Sequence, residues 1–256
     1  MKLRRLIDGI VNSLPHACMY RIVLTLFLIA AVGTGTGWAD PLVIARAENV
    51  PDHDVGERIL SGIYVRAGIR VRFVALPSVR ALVESNAGRM DGELQRIYSL
   101  TSKYKNLRRI LTPFFYSEIV AFTRDDFVRQ GGSLLDQPVA YGVVRGMLQE
   151  KKLVENVGTL IEVVHTKQLL RMLSVARIKI GVLSHINGLA QVRMLHFDHI
   201  MVQQPPLNRQ PLYHYLHKKN EALVSRIDTV IKEMLSDGSL ETLQHEAITQ
   251  VMARYD

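Results

Sequence analysis

An α/β protein of two lobes, each a mostly parallel sheet flanked by helices, is the fold class the sequence predicts, on three observations. Strand-like and helix-like segments alternate through residues 40–256, the pattern of sheets covered by helices. A second set of the same elements begins after Gly131-Gly132. Two helical stretches close the chain and must bury a face against the first set of elements. The second lobe is then an insertion in the first, and the chain crosses between them twice, as a hinge requires. The predicted organisation is a leader at 1–39, the first part of lobe 1 at 40–123, lobe 2 at 124–209, and the rest of lobe 1 at 210–256.

Taken in order, Leu42 to Arg46 reads as the first strand. Asp54 followed by Glu57 has capping-box spacing and predicts a helix start, with Ile59, Leu60, Ile63 and Tyr64 at helical intervals and Gly68 as the stop. Ile69 to Leu76 alternates as a strand, and Ser78 opens a helix ending near Gly88. Asp91 to Ile97 and Glu118 to Thr123 are further strands. In the second set, Pro138 to Val144, Ile161 to Val164 and Ile178 to Leu183 read as strands. The helices between and after them cover Met147 to Asn156, Lys167 to Val175, and a stretch ending near Met194. Gln203 to Pro211, with three prolines, predicts a loop. Asn220 to Leu235 and Ser239 to Ala253 are the closing helices, broken at Asp237-Gly238.

The leader has a basic segment with Lys2, Arg4, Arg5 and Arg21, an apolar run from Ile22 to Val32, and Gly37 and Ala39 at the −3 and −1 places of a small-residue cleavage site. The run is shorter than the roughly 20 residues that span a bilayer. A cleavable export signal is predicted, with Met19 as an alternative start. The 256-residue chain has a net charge of +8; without the leader it has 28 Lys+Arg against 23 Asp+Glu, a net +5. Its densest basic stretch, Lys103 to Arg109, is too short for a nucleic-acid footprint. Cys18, the single cysteine, falls in the leader. The remainder can have neither disulfide nor thiol nucleophile and suits an oxidising compartment such as the periplasm.

Four stretches, in order and spacing, resemble the bacterial extracellular solute-binding proteins of family 3, the polar amino-acid-binding-like proteins with the type 2 periplasmic-binding-protein fold. They are Leu76-Pro-Ser-Val-Arg80 running to Asn86-Ala-Gly-Arg-Met-Asp-Gly-Glu93, and Pro113-Phe-Phe-Tyr116 leading into Ile119-Val-Ala-Phe122. The third is Val139-Ala-Tyr-Gly-Val-Val-Arg-Gly146, followed by Leu170 to Leu173 and Ala176 to Gly181. The fourth is Tyr213 to Lys218 with Ile231 to Leu240. The resemblance implies two lobes joined by a two-strand hinge, closing over one small polar ligand. It also implies delivery of that ligand to the membrane permease of an ABC transporter or to a sensor protein. The expected protein is a monomer without cofactor or metal, binds no nucleic acid, and is not an enzyme.

The resemblance also directs attention to candidate ligand contacts. Amino-acid-binding relatives grip the ligand carboxylate with an arginine three residues after a threonine that precedes the crossing-strand proline by twelve. Thr101 and Pro113 keep that spacing, but the arginine position is Tyr104, and Arg96 is the expected substitute. A salt bridge with Glu93 is the structural alternative for Arg96. Relatives usually place an aspartate for the ammonium after the fifth strand; here that position is Ser184, which cannot neutralise a cation, and Glu48 is the expected compensation. Gly146 and Met147 are expected to offer backbone contacts at a helix start, with Arg145 as a second clamp and Tyr116 as a stacking or hydrogen-bonding partner.

Two alternatives come from different classes. A periplasmic enzyme of the cyclic-acid dehydratase kind would need a general acid or base, for which Glu48 and Glu93 are the candidates. A sensory module would present its ligand to a receptor. His196 with His199, and His214 with His217, have i, i+3 spacing, but the second pair lies in a predicted strand, where the two side chains face opposite ways, and no set of three or four ligands is assembled, so no metal site is expected.

Overall fold

A computed structural model describes residues 40–127 and 133–256. The predicted export signal, Cys18 and Gly131-Gly132 lie outside the described residues. Strands β1 (Leu42–Ala47), β2 (Val71–Leu76) and β3 (Gly92–Arg96) form one parallel group, with β1 between the other two. Strands β6 (Ala140–Val144), β7 (Thr159–Val163) and β8 (Ile180–Ser184) form a second parallel group with β6 central. Two long strands connect the groups: β5 (Phe115–Arg124) pairs antiparallel with β8, and β9 (Ile200–His217) pairs with β5 over most of its length and with β3 at its end. The short β4 (Leu107–Arg109) lies against the end of β9. The two lobes are therefore joined by β5 and β9, the two-strand connection expected.

Helix α1 (Pro51–Arg66) begins one residue after Val50, with no side-chain cap. Pro51 starts it because its fixed φ suits the first helical position and its missing N–H has no role there. The expected cap is thus corrected: Asp54 lies inside the first turn and pairs with Arg46 at 2.9 Å. Helices α2 (Ser78–Asn86), α3 (Leu148–Val154), α4 (Thr166–Ser174) and α5 (His185–Met194) follow near their predicted places, as do α6 (Ala222–Ser236) and α7 (Ser239–Met252).

The expected loop at 203–211 is a second correction, because those residues belong to β9. Its prolines are tolerated for a local reason. The β5 register slips between Ile119 and Ala121, leaving Gln204 to Leu207, with Pro205 and Pro206, outside the pairing. Pairing with β3 and β4 starts only at Tyr213, so the proline-bearing part of β9 has a free edge, where a missing donor costs little.

Each lobe has its own core. Ile44, Ile59, Leu60, Ile63, Tyr64, Leu94 and Ile231 fill the first, and the closing helices add Leu240 and Val251. Phe122, Leu169, Leu173 and Ile178 pack on one side of the second sheet, and Ala121, Tyr141, Val143 and Val182 on the other. Helix α5 enters both cores: Ile186 and Ala190 belong to the first lobe's core and Val192 to the second's. Among the described residues no helix is long and apolar enough to cross a membrane.

Candidate functional site

A cavity of about 470 Å³ opens between the lobes, where the ends of β1 and β3 and the start of α1 face β5, β8 and the starts of α3 and α5. Lobe 1 contributes Asp52, His53, Gln95 and Arg96, and lobe 2 contributes Gly146, Met147, Glu150, Ser184 and Asn187. Ser117 and Ile119 line it from β5. This size is in the range of small-molecule sites.

Arg96, at the end of β3, is half-buried at the cavity wall. Its Nε donates to Glu93 Oε1 at 2.8 Å and its Nη1 to Ser78 Oγ at 3.0 Å. The Glu93 salt bridge anticipated as its alternative is therefore present, and Arg96 lines the cavity as well. Glu93 is fully buried, and burial pushes its carboxyl up to about 7 against the opposing pull of Arg96.

Asp52, in the first turn of α1, is the principal cleft residue that the sequence reading missed. Its Oδ2 accepts from Ser184 Oγ at 2.6 Å, Asn187 Nδ2 at 2.9 Å and Ser117 Oγ at 3.3 Å. The Asp52 N–H donates to Asn187 Oδ1 at 2.9 Å. Burial raises the Asp52 carboxyl above the usual range, and these three donors partly offset the rise. Ser184 occupies the N-cap position of α5 yet makes no side-chain cap, because its hydroxyl is committed to Asp52. One signal could have found Asp52. Pro51 marks a helix start immediately after β1, which puts residue 52 among the N–H groups that face the strand ends.

Of the residues chosen from sequence, Arg96, Gly146, Met147 and Ser184 come together around the cavity. Gly146 has φ +88°, a conformation that favours glycine, and the Met147 N–H already donates to Val144 O at 3.1 Å. Arg145, Glu48 and Tyr116 do not join them. Arg145 and Glu48 are exposed and outside the cavity lining, Glu48 because the turn after β1 carries it past the strand end. Tyr116 faces away because strand side chains alternate: Ser117 and Ile119 take the cleft side of β5. It lines a separate cavity of about 230 Å³ with His185 and Arg209, whose guanidinium lies 4.6 Å from its ring centre. Neither acid proposed for dehydratase chemistry stands free in the cleft, since Glu93 is tied to Arg96 and Ser85.

His214 is buried on β9, bonded through Nε2 to Tyr64 Oη at 2.8 Å, and His217 Nδ1 accepts the Lys219 N–H at 3.3 Å. His53 Nδ1 accepts the Ala47 N–H at 3.1 Å, and burial holds that ring down to about 3, so it is neutral beside the cavity.

No family model matches the sequence. An uncharacterised protein of Shewanella oneidensis is 25% identical over 198 residues, covering 75% of each chain. The GluR0 ligand-binding core in complex with L-glutamate superposes with a TM-score of 0.65 at 12% identity, covering 82% of this chain and 99% of that one. A histidine kinase sensor domain with similarity to periplasmic binding proteins gives 0.61 at 13% identity, covering 80% and 95%. The substrate-binding protein of an amino-acid ABC transporter from Streptococcus pneumoniae, bound to L-arginine, gives 0.58 at 13% identity, covering 83% and 96%. These likenesses, together with two parallel-sheet lobes strung on β5 and β9, give this chain the two-lobed fold of the type 2 periplasmic binding proteins.

Proposed function

We propose that this protein is an exported solute-binding protein that captures a small, polar, carboxylate-bearing ligand between its lobes and hands it to an ABC-type membrane permease. In this reading residues 1–39 are the cleaved export signal, and residues 40–123 and 210–256 make one jaw against 124–209. The observation that carries it is the interlobe cavity, walled by a guanidinium from one lobe and by polar side chains and a glycine turn from the other. Arg96 is held at that wall by Glu93 and Ser78, and a positioned guanidinium is suited to planar carboxylate recognition. Closure draws its free energy from contacts that the ligand makes to both lobes at once.

A second reading, a ligand-presenting sensory module, is supported by the likeness to the histidine kinase sensor domain. Both readings share the same binding step and differ in the downstream partner.

The test is a thermal-shift screen of the purified protein against amino acids, polyamines and small organic acids. A carboxylate-bearing compound is expected to raise Tm, and Arg96→Ala is expected to abolish that rise. An unchanged rise in Arg96→Ala would remove the clamp assignment.

A further inference from the structure

The cavity of about 230 Å³ beside Tyr116 is separate from the cleft, although the two share elements. Strand β5 gives Tyr116 and Glu118 to it and Ser117 and Ile119 to the cleft, as alternation along a strand requires. Strand β9 gives Arg209 here and Gln210 there, and α5 gives His185 and Leu189 here and Asn187 there. The second cavity therefore lies on the other face of the crossing strands.

Its floor is apolar. Phe115, Ile186, Leu189, Ile248 and Met252 form it, and each belongs to the first lobe's core or packs against it. Such a recess gives water few polar partners, and an apolar cavity of roughly 150 Å³ stays dry and takes up benzene. The volume here accommodates a single ring with a small substituent. Phe115 and the Met252 thioether favour a flat π surface over an alkyl chain.

The rim selects the substituent. The Glu118 side chain is 35% exposed, and among the described residues its carboxylate receives no hydrogen bond. Its ion-pair contacts, His185 Nδ1 at 3.5 Å and Arg209 Nε at 4.0 Å, are both longer than such a bond. The Arg209 guanidinium lies instead over the Tyr116 ring. The open polar group at the rim is thus an acceptor, and an incoming carboxylate would meet the charge of Glu118.

We infer that this cavity is a second ligand site, for a ring-sized aromatic molecule bearing one O–H or N–H donor, a phenol or an indole. The ring sits on the apolar floor and the donor on Glu118. The site stands independently of the solute-binding reading, because it uses none of the side chains assigned to the cleft ligand.

The experiment is a titration of the isotope-labelled full chain with p-cresol, indole, toluene and benzoate, followed by amide chemical shifts. p-Cresol and indole are expected to perturb the amides of Leu189, Ile248 and Met252 most. Toluene, which has the ring without the donor, should bind more weakly by about 10-fold or more, the worth of a hydrogen bond to a charged group. Benzoate should bind more weakly than p-cresol. Glu118→Leu should bring p-cresol down to the level of toluene while toluene still binds. The wild-type ratio of p-cresol to toluene gives the same information without relying on a variant that must fold. Largest shifts at Gly146, Met147 and Ser184 would place the ring compounds in the cleft and overturn the inference, as would no response to any of them. Equal binding of toluene, or tighter binding of benzoate, would overturn the role of Glu118. None of these outcomes touches the thermal-shift test of the cleft, so the two readings fail separately.

Discussion

Glu93 shows how a single buried acid ties the stability of the fold to the cleft. It is wholly enclosed, and its ion pair with Arg96 offsets only part of the cost of removing its charge from water, so its carboxyl is pushed up to about 7. An unfolded chain ionises the same group near 4.5. Below that value both states are protonated and the native state keeps its full stability. Between about 4.5 and 7 the unfolded chain loses the proton first, so stability falls as pH rises and then levels off. Glu93→Gln has no such loss. Relative to wild type its stability should rise by on the order of 3 kcal/mol between pH 4.5 and pH 7.5, at 1.36 kcal/mol per pKa unit. Urea midpoints across that range provide the measurement, and a pH-independent difference would count against a buried, reluctant acid. Arg96 was legible in the sequence because its chemistry and its place after Asp91-Gly-Glu93 were both visible. Asp52 was not, because Ser117, Ser184 and Asn187 lie 65 to 135 residues away along the chain.

Among the elements, the regular strands and helices were readable because burial on one face or both leaves a period in the sequence. Strand β9 escaped because its prolines obey the pairing on each edge, which no local pattern encodes. The close approach of α5 to β5 is equally invisible locally. A Cβ built on Gly188 would stand 2.5 Å from Phe122 Cε2, inside van der Waals contact with a fully buried ring. Gly62 on α1 makes a useful control, since the atoms nearest its Cβ would be the two methyls of the partly exposed Leu243 side chain. Both substitutions to alanine gain helix propensity of up to about 1 kcal/mol. Gly62→Ala should therefore be neutral or stabilising. Gly188→Ala should lower stability by about 1–3 kcal/mol, the range for overpacking a filled core. Denaturant unfolding of the two variants side by side checks this, and equal midpoints would show that Phe122 yields as readily as Leu243.

At the scale of the molecule, the two cores are joined by β5 and β9, α5 has residues packed in each core, and the proposed function requires the lobes to close about that connection. Saturation with a compound that raises Tm should lower the radius of gyration measured by solution scattering. The same compound should leave the Arg96→Ala scattering curve unchanged, and a wild-type curve that does not respond to a bound compound would argue against closure. By itself the sequence determined the α/β class, the repeat of the strand–helix set and the return of the chain to its first lobe. These depend on hydrophobic periodicity and on the need of each amphipathic face for a partner, which are properties of neighbouring residues. Only the tertiary structure decided which side of β5 meets the cleft, where the prolines of β9 find a free edge, and which carboxylate stands behind Ser184. Those are relations between segments far apart in the chain, and the free energy of burying a polar group depends on what the fold brings to its side.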